Sequence, residues 1–525
     1  MPSSEHKSYQ TTLRLALNRL ASHPDHIQWI RGNIDIIAIL WHLDLAPAGP
    51  ILQLGYAKHA RGGKPWAPLL MLRAFLLAAL TGHLAANDWA SALRKSELLR
   101  ALVGITEEDI RGRNTTSPAL GAFYGFLHRL HDGPLRNNTD VAVLPSDSER
   151  ARSRTARISQ KHEREKKPKL PDSVTQRLLA QLRAVRPATR PADLLRRLHQ
   201  LLMDIAIRPS AKAGLLGELG SLFTAADGCV LPTAATGNGH RSCTCEAWRC
   251  DCPRTYADPD ARWGYDSYRK CFFFGHHFYE ISTPVSGHDL PLFIDIHSGN
   301  TTDFTASLEG YEYLSKVLRD NGDGWQIAQA ALDAGHDALA IHEGLRDWGI
   351  RPVIPLSGKA PAVHPDRPSL SLSAGGIPLC SAGVEMASRG SASPGRPLFL
   401  CPVKAGKLSQ CPYAPADEPG WVCRPDQKCG PSVTVKTSSH PRLFPQISRN
   451  SAQYDELYRR RSGCERSNSV KKQAFKLLSC GHRRQSFWLI RLYTMAILQH
   501  ARAWISGLDL PSFLDELLSP EPTTA

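Results

Sequence analysis

Through residues 1–145 apolar side chains recur at three- and four-residue intervals. The stretches "PWAPLLMLRAFLLAAL" and "WASALRKSELLRALVG" show it best, with Gly104 and Gly112 as stops. This period predicts a helical N-terminal domain over 1–145, the part expected to bind DNA ends or to dimerise. Residues 146–215 read as a basic linker followed by two helices, "VTQRLLAQLRAV" and "ADLLRRLHQLLMDIAI". After Ser221 the pattern shortens to strands. "LFTAADGCVL" is apolar and interrupted at Asp227-Gly228, and "CFFFGHHFYEISTPV" and "LPLFIDIHSG" are joined by the hairpin-like "SGHD". The helix "TASLEGYEYLSKVLRD", the strand "QIAQAALDAG", the helix "ALAIHEGLRDWG" and the strand "RPVIPLSG" follow. That order predicts an α/β core with a mixed sheet flanked by helices, its first part spanning 216–359.

The rhythm breaks over residues 360–446, which are rich in Cys, Pro and Gly and hold only short strand-like pieces such as "PLFLCPV". These residues read as a β-rich or irregular insertion. Helices return in "AFKLLSC" and "SFWLIRLYTMAILQHARAW", so that 447–510 form the second part of the core with the C-terminal helices, and 511–525 a tail.

Charge narrows the class of partner. Against 49 Asp+Glu stand 64 Lys+Arg, a formal +15 with a pI near 9.3, which suits a ligand dense in phosphate. Between Arg150 and Lys169, nine basic residues accompany two Glu. Arg150, Arg154, Arg157, Lys161 and Arg164 would line one helical face, as a phosphate-tracking helix or as a solvated linker. The longest apolar run, Leu69 to Leu80, is too short to span a bilayer and carries Arg73, so no membrane partner and a cytoplasmic, nucleoid-associated location are expected. In that compartment the thirteen cysteines would be thiols or metal ligands rather than disulfides.

The candidate chemistry lies in three acids. Asp227 in "AADGC" and Asp333 in "LDAGHD" each end an apolar strand, where side chains of neighbouring strands converge; the competing explanation for each is a tight Asp-Gly turn. Far downstream, "YRRRSGCERSNSVKK" surrounds Glu465 with positive charge. At about 100° per residue, Tyr458, Arg461, Glu465 and Lys472 fall within about 60° of one helical face. Ser462, Gly463, Ser467 and Asn468 are weak helix formers, so helix stability alone does not account for this stretch.

The spacing Tyr458-x2-Arg461-x3-Glu465-x6-Lys472 resembles the tyrosine–arginine–glutamate–lysine signature of insertion-sequence DDE transposases, which share a ribonuclease H-like fold. The Asp227 and Asp333 positions and the "HSGNTTD" run between them are similar as well, with His336 where the family more often has Tyr. The resemblance implies a cut-and-paste transposase that binds terminal inverted repeats and target DNA, works as a homodimer on DNA, and uses two Mg²⁺ ions, for which Mn²⁺ can substitute. Mg²⁺ prefers oxygen ligands. By resemblance Asp227 would bridge both ions, Asp333 and Glu465 would hold one each, and Tyr458, Arg461 and Lys472 would grip phosphates. Arg459, Arg460, Arg466 and Lys471, with Lys476, Arg483 and Arg484, are expected to touch the DNA backbone. Trp421, the insertion's single Trp, matches a family position that stacks on a flipped base, and also fits a packing role.

Two points stay open in the sequence. Cys243, Cys245, Cys250 and Cys252 in "CTCEAWRCDC" are close enough to share a Zn²⁺ ion or to form a reduced loop. A non-catalytic DNA-binding protein, such as a domesticated transposase or a repressor, is the alternative function. A hydrolase with paired carboxylates is a third, but leaves the cations around Glu465 unexplained.

Overall fold

The structure is a computed structural model, and it describes residues 2–56, 65–133, 173–183, 190–191, 193–241, 243–246, 252, 254–285, 287–412, 414 and 432–519. The basic run 150–169, Cys250 and Trp421 lie outside the described residues.

The centre is a mixed six-stranded sheet: β1 (Leu222–Pro232), β2 (Arg262–Asp266), β3 (Cys271–Val285), β4 (His288–Ser298), β5 (Ile327–Ala331) and β6 (Arg351–Val353). Its main order is β4-β3-β1-β5-β6. The first three strands are antiparallel neighbours, and β1, β5 and β6 run parallel. β2 pairs with the N-terminal end of β3. The long antiparallel strands need only a hairpin between them, whereas the parallel ones are linked by helices Asp303–Asp320 and Leu339–Asp347, as parallel connections require. The chain is thus an α/β protein with many helices.

One apolar core runs from Tyr9 in the first helix to Leu517 in the last. The N-terminal helices share it with the sheet. Helix Gln485–Ile505 is buried along most of its length and lies between them, bonded to β4 through Tyr493 Oη to Ile294 O (2.9 Å) and His500 Nε2 to Pro291 O (2.8 Å). Helix Pro68–Leu80 is buried almost all round, and its Arg73 is accommodated there: the guanidinium lies 3.6 Å from the Tyr9 ring centre and donates to Val103 O at 3.0 Å. Among the described residues no single helix is long and apolar enough to cross a membrane.

The insertion has an apolar cluster of its own, with Leu370, Leu372, Met386, Phe399 and Phe444 at its centre. Both ends of it are tied to one acid. Asp337 accepts from the Ser357 backbone N–H (2.7 Å) on the outgoing chain and from Arg442 Nε (3.0 Å) on the returning one, and its other oxygen faces His342 (3.0 Å). Since Asp337 sits four positions after Asp333, the root of the insertion and the second candidate acid belong to one short loop.

Two sequence expectations change. β1 does not end at Asp227 but runs on to Pro232, because β3 continues to pair with it from Ala225↔Ser282 to Pro232↔Gly275. What ends is the pairing on the other edge, where β5 stops opposite Ala225. "AFKLLSC" does not form a regular helix: Lys476 takes φ 50°, and only a short 3₁₀ turn, Leu477–Ser479, remains.

Candidate active site

The sheet register brings the first two acids level. Ala225 pairs with Ala331 in parallel strands, so Asp227 and Asp333 lie two residues beyond the same rung on neighbouring strands. Among the described residues the pairing on that edge of β1 ends at Ala225↔Ala331, two residues before Asp227. Asp333 starts the next turn: its Oδ1 accepts from Gly335 N–H at 3.0 Å.

A relay of hydrogen bonds fixes Asp333. The Tyr279 hydroxyl lies 3.1 Å from His336 Nε2, and His336 Nδ1 lies 2.5 Å from Asp333 Oδ1. A carboxylate only accepts, so Nδ1 carries the proton and Nε2 accepts from Tyr279. The hydrogen bond from His336 holds the Asp333 carboxyl below the usual range, with Arg461 adding to the effect.

Glu465 arrives on the helix Ser462–Gln473, which packs against β1, β3 and β4. Close approach is possible at Gly463, where a Cβ would lie 2.2 Å from Pro284 Cβ. The expected single helix is two. Ala452–Arg459 and Ser462–Gln473 are joined by a tighter turn, in which Arg461 N–H bonds to Tyr458 O (3.0 Å) and Cys464 N–H to Arg461 O (3.2 Å). Across the step Tyr458 stacks on Tyr454 with ring planes 9° apart and stays beside Arg461, whose guanidinium lies 5.8 Å from the Tyr458 ring centre and pairs with Glu465 at 2.6 Å. The polar, weak helix formers at 462–468 do form helix, because Ser467 and Asn468 are buried against the sheet and tertiary contacts outweigh propensity.

Asp227 feels all of these groups. Burial, then the nearby Asp303, Asp333 and Glu465 carboxylates, push its carboxyl up to about 7, against the pull of Arg461. Lys472 lies near the same face: burial pushes up the Cys229 thiol, two residues along β1, and the Lys472 charge opposes that shift. Asp227, Asp333, Glu465, Arg461 and Lys472 are therefore brought into one region, from chain segments more than a hundred residues apart. These acids raise the proton affinity of Asp227 and could offer oxygen ligands to a hard divalent cation, but their carboxylate oxygens do not all lie within 4.8 Å of one another, so their side chains would have to turn inward to share one.

Asp303 is a neighbour of the site that the spacing of the three acids does not reveal. It opens helix Asp303–Asp320 after the cap Thr302, and its carboxylate lies 2.8 Å from His277 Nε2. Both fill the space left by Gly228: a Cβ there would fall 1.7 Å from Asp303 Oδ1 and 2.2 Å from His277 Nε2. The signal in the sequence is the glycine directly after Asp227 together with the "NTTD" cap.

Among the surrounding cations the structure separates roles. Lys471, expected on the DNA backbone, is fully buried and pairs with Glu280 at 2.6 Å, so it is a core residue rather than a surface contact. Arg466 donates twice to Asp289, at 2.8 Å each, and Arg460 pairs with Glu456 at 2.5 Å. Arg459 is exposed and bonds only within its helix, to Asp455 O at 3.2 Å.

Of the cysteine cluster, Cys243, Cys245 and Cys252 stand together, with Sγ–Sγ distances of 2.9 and 3.3 Å from Cys245. Their geometry could hold a metal, as could His364, Asp366 and His440 in the insertion, whose ligand atoms lie within 4.8 Å of one another. At the latter group His364 Nδ1 already accepts from Asp366 N–H (3.1 Å), and the ring stacks on Phe444. No family model, curated protein or solved structure matches this chain.

Proposed function

We propose that this chain is an insertion-sequence DNA transposase of the DDE type, with a ribonuclease H-like core, that cuts DNA at terminal inverted repeats and joins the ends to target DNA. The observation that carries it is the approach of Asp333, Glu465 and Arg461 to Asp227 where the β1–β5 pairing ends, with Lys472 beside Cys229 on the same strand. The mixed sheet of three antiparallel and two further parallel strands, with helices packed on it, supports the fold named here.

In this proposal the three acids hold Mg²⁺, or Mn²⁺ in its place. The bound metal supplies activation of the attacking oxygen and charge neutralisation at the phosphate. The protein's own groups position the rest. His336, itself oriented by Tyr279, keeps Asp333 ionised and aimed. Arg461, paired with Glu465 and close enough to act on Asp227, would meet an entering phosphate with a guanidinium already in place. Lys472 adds a point charge on the same face. In the first step a water oxygen, losing a proton, bonds to phosphorus as the P–O3′ bond breaks and the 3′ oxygen takes up a proton; the freed 3′ hydroxyl then loses its proton and bonds to a target phosphorus as the target's own P–O3′ bond breaks and that oxygen leaves protonated. A homodimer holding two DNA ends completes the proposal.

The test uses duplexes that carry the ends of the element, with Mg²⁺, and compares wild type with Glu465→Gln. Strand cleavage by wild type and at least a hundredfold loss in the variant are expected. Cleavage that survives the substitution removes Glu465 from the mechanism. DNA binding by wild type without any cleavage points instead to a non-catalytic DNA-binding protein.

A further inference from the structure

Beyond the last rung that β1 shares with β3, the chain builds an arm. β2 and the N-terminal end of β3 pair from Arg262↔Gly275 to Asp266↔Cys271, and Lys270 at φ 53° closes the turn between them. One face of this arm is a ladder of aromatic rings. Trp263 stands opposite Phe274 and Tyr265 opposite Phe272, with ring centres 5.6 and 5.2 Å apart, and Tyr256 extends the row at 6.1 Å from Phe274. The ladder is turned to solvent: Trp263 and Tyr265 are each 54% exposed and Phe272 72%. The opposite face is packed, with Phe273 and Gly264 buried. A contiguous exposed row of rings on a soluble surface marks a binding site rather than a core.

Charge selects the partner. Every carboxylate between residues 254 and 275 is buried: Asp258 at 0%, Asp260 at 6% and Asp266 at 7% exposure. Asp258 is taken up by Thr233 (2.8 Å) and His276 (2.8 Å), and Asp266 caps the turn through Tyr268 and Arg269 N–H. The charges left at the surface are all positive: Arg269 and Lys270 in the turn at the end of the ladder, and Arg262 on the face opposite the rings. Exposed rings set among cations match a polyanion whose π-faces are free, namely nucleotides out of a duplex.

Position ties the arm to the candidate site. β1 and β5 run parallel, and both the acids and the arm lie at their C-terminal end. Asp227 is five residues before Pro232, where the arm begins, a separation of about 17 Å along the strand.

We propose that the aromatic face of the 254–275 arm is a binding platform for unpaired DNA nucleotides next to the carboxylate site, with the bases stacked on Trp263, Tyr265 and Phe272 and the phosphates met by Arg269 and Lys270. It deepens the transposase proposal, and rests on it for the identity of the strand. Stacking of this kind contributes roughly 1–3 kcal/mol per base, or about five- to a hundred-and-fiftyfold in affinity.

The experiment measures binding of labelled oligothymidylate and of a blunt duplex by fluorescence anisotropy at fixed salt, using the full chain. Trp263→Ala with Phe272→Ala is expected to weaken oligothymidylate binding at least tenfold and to leave duplex binding within about twofold. Phe272→Tyr, which keeps the ring, is expected to bind like wild type, showing that the loss follows the ring and not the fold. Oligothymidylate binding unchanged in the double variant overturns the platform. So does a double variant whose main change, by light scattering, is loss of self-association, since the face would then be a contact between copies. If wild type binds duplex but the single strand is indifferent to the rings, the platform fails alone; if wild type binds neither, the transposase proposal fails with it.

Discussion

Two acid–base arrangements lie side by side on one face of the sheet, and they have opposite characters. Asp227 and Glu280 are direct partners in the register of β1 and β3, so their side chains point the same way, toward the helix Ser462–Gln473. Glu280 is sealed. Lys471 pairs with it, Ser467 donates to it, and Gln499 completes the network by bonding Lys471 (3.0 Å) and Ser467 (2.9 Å). Among the described residues no cation is paired with Asp227 in that way. Its near neighbours include three acids, while Arg461 is engaged with Glu465. A matched and buried pair holds a helix on a sheet; a buried acid among other acids is held up by repulsion that a cation would relieve. One helix does both, anchored through Ser467 and Lys471 and bringing Glu465 and Lys472 toward the site.

The largest effect should come from breaking the sealed pair. Lys471→Met leaves Glu280 buried without its counter-ion and should lower unfolding free energy by about 3–5 kcal/mol in chemical denaturation. Removing both charges, as Glu280→Gln with Lys471→Met, should recover much of that loss. If the single substitution costs no more than a surface change, the helix is held by other contacts.

A smaller effect of opposite sign is expected at the open acid. The Asp227 carboxyl sits near 7 in the folded chain against 3.8 ordinarily, so the folded state binds the proton more tightly. Without metal, the contribution of Asp227 to stability is then lost as pH rises from about 4 to 7. Asp227→Asn cannot ionise, and in chelator at pH 8 it should be the more stable protein by on the order of 3 kcal/mol, the difference closing toward pH 4. Thermal unfolding across that pH range checks it. A variant less stable than wild type at pH 8 would assign Asp227 a structural role like that of Glu280.

This contrast also explains how much the sequence could tell. The mixed α/β order is legible because strand and helix periods differ. So is the spacing of Arg461, Glu465 and Lys472, which survives the break in the helix. The break itself is not, since Arg459, Arg460 and Arg461 are good helix formers and only packing decides the step between the two helices. Lys471 and Lys472 are adjacent and chemically identical, yet one is sealed in the core and the other reaches the site face; a helical turn of 100° divides them, and no local pattern says which is which. Asp227 looks like a strand end because Asp-Gly usually marks a turn, but here Gly228 instead makes room for Asp303 and His277 across the sheet. The aromatic arm appears as a hydrophobic run, and its exposure follows only from the strand pairing that lifts it off the core.

The most direct measurement is Mn²⁺ binding to the full chain, followed by titration calorimetry together with the loss of the free-ion paramagnetic resonance signal. Wild type should bind Mn²⁺ in competition with Mg²⁺. Asp227→Asn, Asp333→Asn and Glu465→Gln should each weaken binding at least tenfold, whereas Glu280→Gln with Lys471→Met should leave it within about twofold. Binding that is absent from wild type, or equal in wild type and all three variants, contradicts a metal site built by these acids.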